Sequence, residues 1–143
     1  MIIGVTGTRR GISIAQLRAY TMLLDQNRPA EVHHGDAVGA DAELHRAARA
    51  LGFRIVVHPP LGKKHRAFCE GDVVHRPKSR EARDRDVVDA SDLLFAAPAE
   101  PGVEGPNTGT WYTVQYALWR GTPIVLVWPD GTREVDRGAA ARG

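Results

Sequence analysis

The feature that most constrains the fold of this chain is a set of glycine-rich turns. Each turn follows a short apolar strand and precedes a helix pattern. The first lies within residues 2–11 (IIGVTGTRRG), and the second lies within residues 32–41 (VHHGDAVGAD). A third loop, GPNTGT at residues 105–110, also precedes a helix pattern. Backbone N–H groups and the helix dipole favour anions at such junctions. Three of them in one small chain predict a phosphate-bearing ligand, most simply a nucleotide.

Strand and helix patterns alternate along the chain. The predicted strands cover residues 2–5, 31–34, 54–58, 93–97 and 124–128. The predicted helices cover residues 14–26, 41–51, 80–90 and 109–120, and a capping box of Ser13 and Gln16 begins the first. Continuous apolar strands separated by helices form parallel sheets that are covered on both faces. We therefore expect an α/β, Rossmann-like, doubly wound sheet of about five mainly parallel strands, with helices on both faces.

The ligand crevice of a doubly wound sheet lies outside the carboxyl ends of its strands. The turns at 7–11 and 35–40 and the loop at 98–109 all follow predicted strands, so we expect them to converge there. The length of 143 residues fits one nucleotide-binding domain over residues 1–130. Residues 131–143 are expected to form a flexible C-terminal tail. The long irregular connection at 59–79 is typical of a functional or a mobile loop.

Composition narrows the class of protein. The single cysteine, Cys69, excludes an intrachain disulfide and a multi-cysteine metal site, and we expect neither a bound metal nor a resident cofactor. No apolar stretch reaches the roughly 18–20 residues of a membrane span, so we expect a cytoplasmic protein with no membrane partner. The formal net charge is only +2, but basic side chains outnumber acidic ones within residues 63–85. That segment either attracts an anionic ligand or is a solvated loop.

The three turns supply candidate phosphate-binding groups. Two guanidiniums of the first turn are placed to clamp a phosphate. Small residues of the second turn leave room for close approach of a backbone, and the third loop offers N–H and hydroxyl donors. The candidates on these grounds are Gly7, Thr8, Arg9, Arg10, Gly35, Gly39, Ala40, Thr108, Gly109, Thr110 and Thr113.

Two carboxylates of the second turn are candidate catalytic groups. Asp41 stands at the start of a predicted helix, where it either caps free N–H groups or serves as a ribose-hydroxyl acceptor or general base. Asp36 has no capping partner that the sequence assigns, which favours a ligand role. The neighbouring His33 and His34 end a strand and point to opposite faces, so they are not expected to share a metal.

Aromatic residues mark the last predicted helix. Trp111, Tyr112, Tyr116 and Trp119 recur at a spacing of three to four residues, which favours core or interface packing over base stacking. Trp111 and Tyr112, in the first turn, are the two placed to reach a ligand. The aromatic surface predicts a homo-oligomer.

The motifs VTGTR at 5–9, HGDAVGAD at 34–41 and GT at 109–110 resemble the SLOG superfamily, which is Rossmann-like. The superfamily includes DprA and the LOG-type phosphoribohydrolases, and the chain is most similar to its YspA (cpYpsA-related) branch over residues 2–128. That branch has an R-N pair where this chain has Arg83-Asp84, so the resemblance implies a ligand role for Arg83. The resemblance also implies nucleotide binding and assembly into dimers or larger oligomers.

The hydrolases of the superfamily share a P-G-G-x-G-T-x-x-E motif whose glutamate serves catalysis. Thr113 occupies the glutamate position here, and a threonine cannot do the acid–base work of a carboxylate at neutral pH. Hydrolysis would therefore need Asp36, Asp41 or Glu104 as a substitute. The phosphate-binding role does not depend on that glutamate.

The sequence predicts a module that binds or senses a nucleotide or a nucleotide-derived ligand of the NAD or ADP-ribose type. One alternative is an enzyme, an N-glycosidase of nucleoside 5′-monophosphates in the manner of the phosphoribohydrolases. A second alternative is a DprA-like DNA-binding protein that uses residues 63–85. The low net charge of +2 counts against nucleic acid as the partner.

Overall fold

The computed structural model describes residues 1–105 and 108–138. Its elements are β1 (Ile2–Gly7), α1 (Ile14–Asn27), β2 (Glu31–His34), α2 (Ala40–Ala50), β3 (Arg54–Val57), β4 (Val73–Val74), α3 (Arg80–Ala90), β5 (Leu93–Ala97), α4 (Gly109–Arg120), β6 (Ile124–Val127) and β7 (Arg133–Asp136). Pro106 and Asn107 of the third loop, and residues 139–143, lie outside the described residues. No helix of the described part is long and apolar enough to cross a membrane.

The strands form one sheet in the order β4-β3-β2-β1-β5-β6-β7. All neighbours pair in parallel except β6 and β7, which are antiparallel. The chain builds outward from β1 to β4 and then returns to place β5 on the other side of β1. The connections after β1 and β5 therefore leave in opposite directions, which opens a crevice at the carboxyl ends of these two strands. The predicted α/β, Rossmann-like fold is confirmed.

Each face of the sheet has its own core. Side chains alternate between faces along a strand, so Phe95 packs with Tyr20 of α1 in one cluster while Leu94 packs with Val88 and Val114 in the other. The Tyr20 and Phe95 rings stack with centroids 4.8 Å apart. The predicted capping box at the start of α1 is present. These cores hold the strand ends, and hence the loops that follow them, in fixed positions.

The structure contains two edge strands that the sequence analysis did not predict. Strand β4 lies within the irregular connection at 59–79, and strand β7 lies within the segment expected to be a flexible tail. A turn places β7 beside β6, because the N–H of Trp128 donates to the carbonyl of Thr132 at 2.9 Å and Gly131 adopts a φ of +90°. The sequence Pro129-Asp130-Gly131 is a turn signal of this kind.

Candidate functional site: a cleft at the carboxyl edge of the sheet

A cleft of about 840 Å³ lies at the carboxyl ends of β1 and β2 and beside the loop that follows β5. This is the crevice that the strand order creates. Eight of the predicted site residues line the cleft: Gly7, Arg9, Arg10, Asp41, Arg83, Thr108, Gly109 and Thr110. Lining residues that the sequence analysis did not select for the site include His65, Arg80 and Asp84. Tyr112, which it placed within reach of a ligand, also lines the cleft, as does Glu104, which it weighed only as a substitute acid.

Gly35, Gly39 and Ala40 of the second turn pack against protein and do not line the cleft, whereas Ala37 and Val38 of the same turn do. Gly39 has a φ of +89°, and a Cβ there would lie 2.7 Å from the backbone of Arg9. The N–H of Ala40 donates to the carbonyl of Thr8 at 2.9 Å. A Cβ on Gly35 would lie 2.7 Å from Cδ of Arg83, whose guanidinium donates to the Gly35 carbonyl. Small residues at this turn therefore allow two loops and one arginine to meet.

Asp36 is buried and does not line the cleft. Its carboxylate accepts hydrogen bonds from Nε of Arg66 and from the N–H of Cys69, both at 2.8 Å. The side chain therefore fastens the connection after β3 to the end of β2. The structure thus separates the two candidate catalytic carboxylates.

Asp41 lines the cleft and is only 6% exposed. Its Oδ2 accepts from the N–H groups of Gly35 at 3.1 Å and Ala37 at 3.2 Å, while its Oδ1 is buried with no hydrogen-bond partner. Burial raises the pKa of Asp41 to about 7, against the opposing charge of Arg83. The side chain therefore holds the turn and also presents a carboxyl that titrates near neutral pH.

Arg83 and Asp84 form a buried ion pair on α3. Nε of Arg83 lies 2.7 Å from Oδ1 of Asp84, and burial raises the pKa of Asp84 to about 6. The charge of Arg83 is thus largely committed within the protein. Thr113 is buried and does not line the cleft, and its hydroxyl donates to the carbonyl of Gly109 at 2.7 Å.

Basic side chains at the mouth of the cleft have no acidic partners. Arg9, Arg10 and Arg80 are exposed, and their guanidiniums make no ion pair or hydrogen bond among the described residues. Desolvation, and the positive charges of Arg9, Lys64 and Arg80, lower the pKa of His65. We call Arg9, Lys64, His65 and Arg80 the basic rim. The basic bias of residues 63–85 was the sequence signal for Lys64 and Arg80, and the first glycine turn was the signal for Arg9.

The start of α4 is open on the cleft side. Thr108, its N-cap residue, makes no capping hydrogen bond, and its Oγ1 is buried without a partner. Ser13, by contrast, caps α1, and the first N–H of α2 is taken by Thr8. The first-turn N–H groups of a helix have no partners within the helix. The N-terminus of α4 is therefore suited to hold an anion.

The loops that follow β1 and β5 meet through Thr8 and Glu104. The hydroxyl of Thr8, which is itself buried, donates to Oε1 of Glu104 at 2.5 Å. Oε2 of Glu104 is buried without a partner. Within the described residues, the unpartnered buried side-chain oxygens are this atom, Oδ1 of Asp41 and Oγ1 of Thr108, and all three belong to cleft-lining residues. Such groups are rare in proteins and call for a polar partner.

Among the described residues, His34, His45 and Cys69 form the one group with the spacing of a metal site, their ligand atoms lying within 4.8 Å of one another. Nδ1 of His34 accepts the N–H of Asp36 at 3.0 Å, so the ring proton is on Nε2, which donates to Nδ1 of His45 at 2.9 Å. A histidine that binds metal directs its other nitrogen to an acceptor. This arrangement therefore fits a hydrogen-bonded pair rather than a metal centre.

No family model and no curated protein matches the sequence. Solved structures do match. The molybdenum cofactor binding protein of Rippkaea orientalis is 23% identical with a TM-score of 0.69, over 89% of this chain and 76% of that one. The molybdenum cofactor carrier protein of Chlamydomonas reinhardtii is 24% identical with a TM-score of 0.63, over 88% and 75%. The structural genomics target TM1055 is 16% identical with a TM-score of 0.62, over 86% and 71%. These likenesses show a Rossmann-like fold.

Proposed function

We propose that this chain binds a phosphate-bearing small molecule in the cleft, as a binding or sensing module, and that the ligand is a nucleotide or nucleotide-derived. The observation that carries the proposal is the basic rim: its cations have no carboxylate partner among the described residues, and Arg9, His65 and Arg80 line the same cavity as the open start of α4. Like charges are held together at a cost unless an anion joins them. A phosphate satisfies both the guanidiniums and the helix N–H groups.

The molybdenum cofactor is a second candidate ligand, taken as cargo. Two of the structural neighbours are described as proteins that bind or carry it. It is also an organic molecule with a phosphate group, so the basic rim suits it as well. The neighbours' identities of 23% and 24% leave the choice between the two ligands to experiment.

Hydrolysis of the ligand is the alternative that the acidic groups favour. Asp41 and Asp84 line the cleft with pKa values of about 7 and 6, which is the range that suits acid–base catalysis. Thr113 at the family's glutamate position is buried and bonded within α4, so it contributes no such group.

The test is a thermal-shift panel of nucleoside mono-, di- and triphosphates, NAD, ADP-ribose and the molybdenum cofactor, with mass spectrometry of each mixture afterwards. A ligand well above its Kd raises the melting temperature by mass action. An intact ligand identifies a binding module, whereas free base with ribose 5-phosphate identifies a hydrolase. Activity that is lost in Asp41→Asn assigns the chemistry to this cleft.

Arginine variants then locate the anion. We expect Arg9→Ala to weaken binding about tenfold or more, because a charge-assisted hydrogen bond contributes roughly 1.5–3 kcal/mol. Arg18→Ala is the matched control, since Arg18 is an exposed arginine of α1 that does not line the cleft. Equal affinity of the two variants would contradict the proposal.

A further inference from the structure

A second, smaller pocket of about 370 Å³ lies next to the cleft. Residues 99–102 line this pocket, residues 103–105 line the cleft, and Glu104 lines both. The two cavities therefore share one wall, the loop after β5. Because the pocket is also bounded by the start of α4 and the end of β6, it lies at the same carboxyl edge of the sheet.

Two tryptophans form the opposite wall of the pocket. Trp111 comes from the first turn of α4, and Trp128 directly follows β6. Their ring centroids are 5.8 Å apart with the planes tilted by 42°. Both indoles also pack against the core cluster of α3 and α4, which fixes them in place. The pocket thus offers rigid aromatic surface, with the amide of Gln115 as a polar group beside it.

Glu104 gives this wall a specific polar function. Thr8 holds Oε1 of Glu104, so the carboxyl cannot turn freely, and Oε2 is buried with no hydrogen-bond partner among the described residues. A carboxylate oxygen accepts hydrogen bonds. A flat ring that carries N–H or amino groups would stack on the indoles and donate to this oxygen.

We propose that the pocket of Trp111, Trp128 and Glu104 holds the nitrogen-containing heteroaromatic ring of the ligand whose phosphate lies at the basic rim. The inference rests on the proposed function and adds the class of ring to it. Purine and pterin rings share this chemistry, so the probes include both. The bound ligand would span both cavities beside Glu104, the residue that lines the two of them.

The test compares Trp111→Leu with Trp119→Leu. Trp119 is on the same helix, is 79% exposed and does not line the pocket, so it is the matched control. The probes are adenosine 5′-monophosphate, a phosphorylated pterin and ribose 5-phosphate, which has no ring base. Trp111→Leu is expected to weaken binding of at least one ring-bearing probe about tenfold, because a base stacked on an aromatic side chain usually contributes that much to affinity. The affinity for ribose 5-phosphate should stay unchanged.

Fluorescence gives a readout that does not depend on a pocket variant folding correctly. The chain has 3 tryptophans, so Trp119→Phe leaves only the two in the pocket. A ring-bearing probe should then quench the emission, whereas ribose 5-phosphate should bind without quenching. Whichever ring quenches at the lower concentration identifies the source of the heteroaromatic group.

The outcomes separate the two proposals. Binding of ring-bearing probes without quenching, and with equal affinity in Trp111→Leu and Trp119→Leu, would overturn the ring pocket. Weakening of ribose 5-phosphate by Arg9→Ala would still support the phosphate site in that case. Failure of every probe to bind would overturn both.

Discussion

Asp41 offers the most direct test of how the cleft is built. The carboxyl is 6% exposed, one oxygen accepts two backbone N–H groups, and the other has no partner. Burial raises its pKa from 3.8 to about 7. Between these two values the folded protein binds more protons at this site than the unfolded chain does. The free energy of unfolding therefore falls as the pH rises through this window.

The Asp41→Asn variant removes this pH dependence while preserving most of the geometry. An asparagine oxygen still accepts the N–H groups of Gly35 and Ala37, and its amide carries no charge. Each unit of pKa shift corresponds to about 1.36 kcal/mol, so a shift from 3.8 to about 7 corresponds to about 4 kcal/mol. The variant should match the wild type within about 1 kcal/mol near pH 4 and exceed it by up to about 4 kcal/mol at pH 8.

Urea unfolding followed by circular dichroism at pH 4.5, 6 and 8 measures this difference. Asp84 is present in both proteins, but its charge also raises the pKa of Asp41, so the difference between the two proteins measures Asp41 together with its coupling to Asp84. Asp25→Asn is the control, because Asp25 is an exposed carboxylate that pairs with Arg28 on the surface. A stability difference between Asp41→Asn and wild type that does not change with pH would refute the reasoning. Greater stability of the wild type at pH 8 would show that the attraction of Arg83 outweighs the burial.

Three further changes test the contacts that shape the site and core. Gly39→Ala should lower the free energy of unfolding by at least about 2 kcal/mol, because Gly39 has a φ of +89° and its Cβ would meet backbone atoms. The control Gly62→Ala, where a Cβ would meet open space, should lower it by less than about 1 kcal/mol. Equal Tm values of the two variants would contradict the prediction. Asp36→Ala should speed amide hydrogen exchange at Cys69, which loses its acceptor, and unchanged protection would show that the anchor is unimportant. Tyr20→Phe removes a buried hydroxyl that forms hydrogen bonds with three backbone groups of β5 and β6. Its free energy of unfolding in urea should be about 1–3 kcal/mol lower than that of the wild type. An unchanged free energy of unfolding would show that these hydrogen bonds do not stabilise the fold.

The central architecture was predictable because its signals are local. Apolar runs mark four of the five inner strands, and Ser13 with Gln16 marks the start of α1 within four residues of sequence. The fifth inner strand, β2, reads Glu-Val-His-His. The two edge strands lack such signals. Strand β4 has only two residues, and β7 reads Arg-Glu-Val-Asp, which is polar enough to resemble a tail. Their pairing depends on the strand beside them and on a turn that brings them there.

The site was predictable only in outline. Parallel topology brings the turn after β1, Asp41 and the start of α4 to one cleft, as the sequence analysis expected. Tertiary contacts decide which polar side chains bind other parts of the protein and which stay available to a ligand. Asp36 is committed to Arg66, 30 residues away, and Thr8 is committed to Glu104, 96 residues away. The spacing of residues within a turn does not show such distant contacts. The sequence analysis therefore selected Asp36 and Thr8 as site residues, although neither lines the cleft.

These contacts within the protein explain how a small domain keeps unpaired basic side chains together at the cleft. Gly39, Asp36 and Thr8 join the loops after β1, β2 and β5 by contacts within the protein. This frame places Arg9 and Arg80 in the lining of one cleft, where both positive charges lower the pKa of His65, and it buries Asp41 in the same lining, where burial raises the pKa of Asp41 to about 7. An anion at the basic rim removes the repulsion among its cations, and it also favours the protonated form of Asp41, which is accessible at neutral pH. The charges that repel one another in the cleft are therefore the ones that would favour the anionic ligand proposed above.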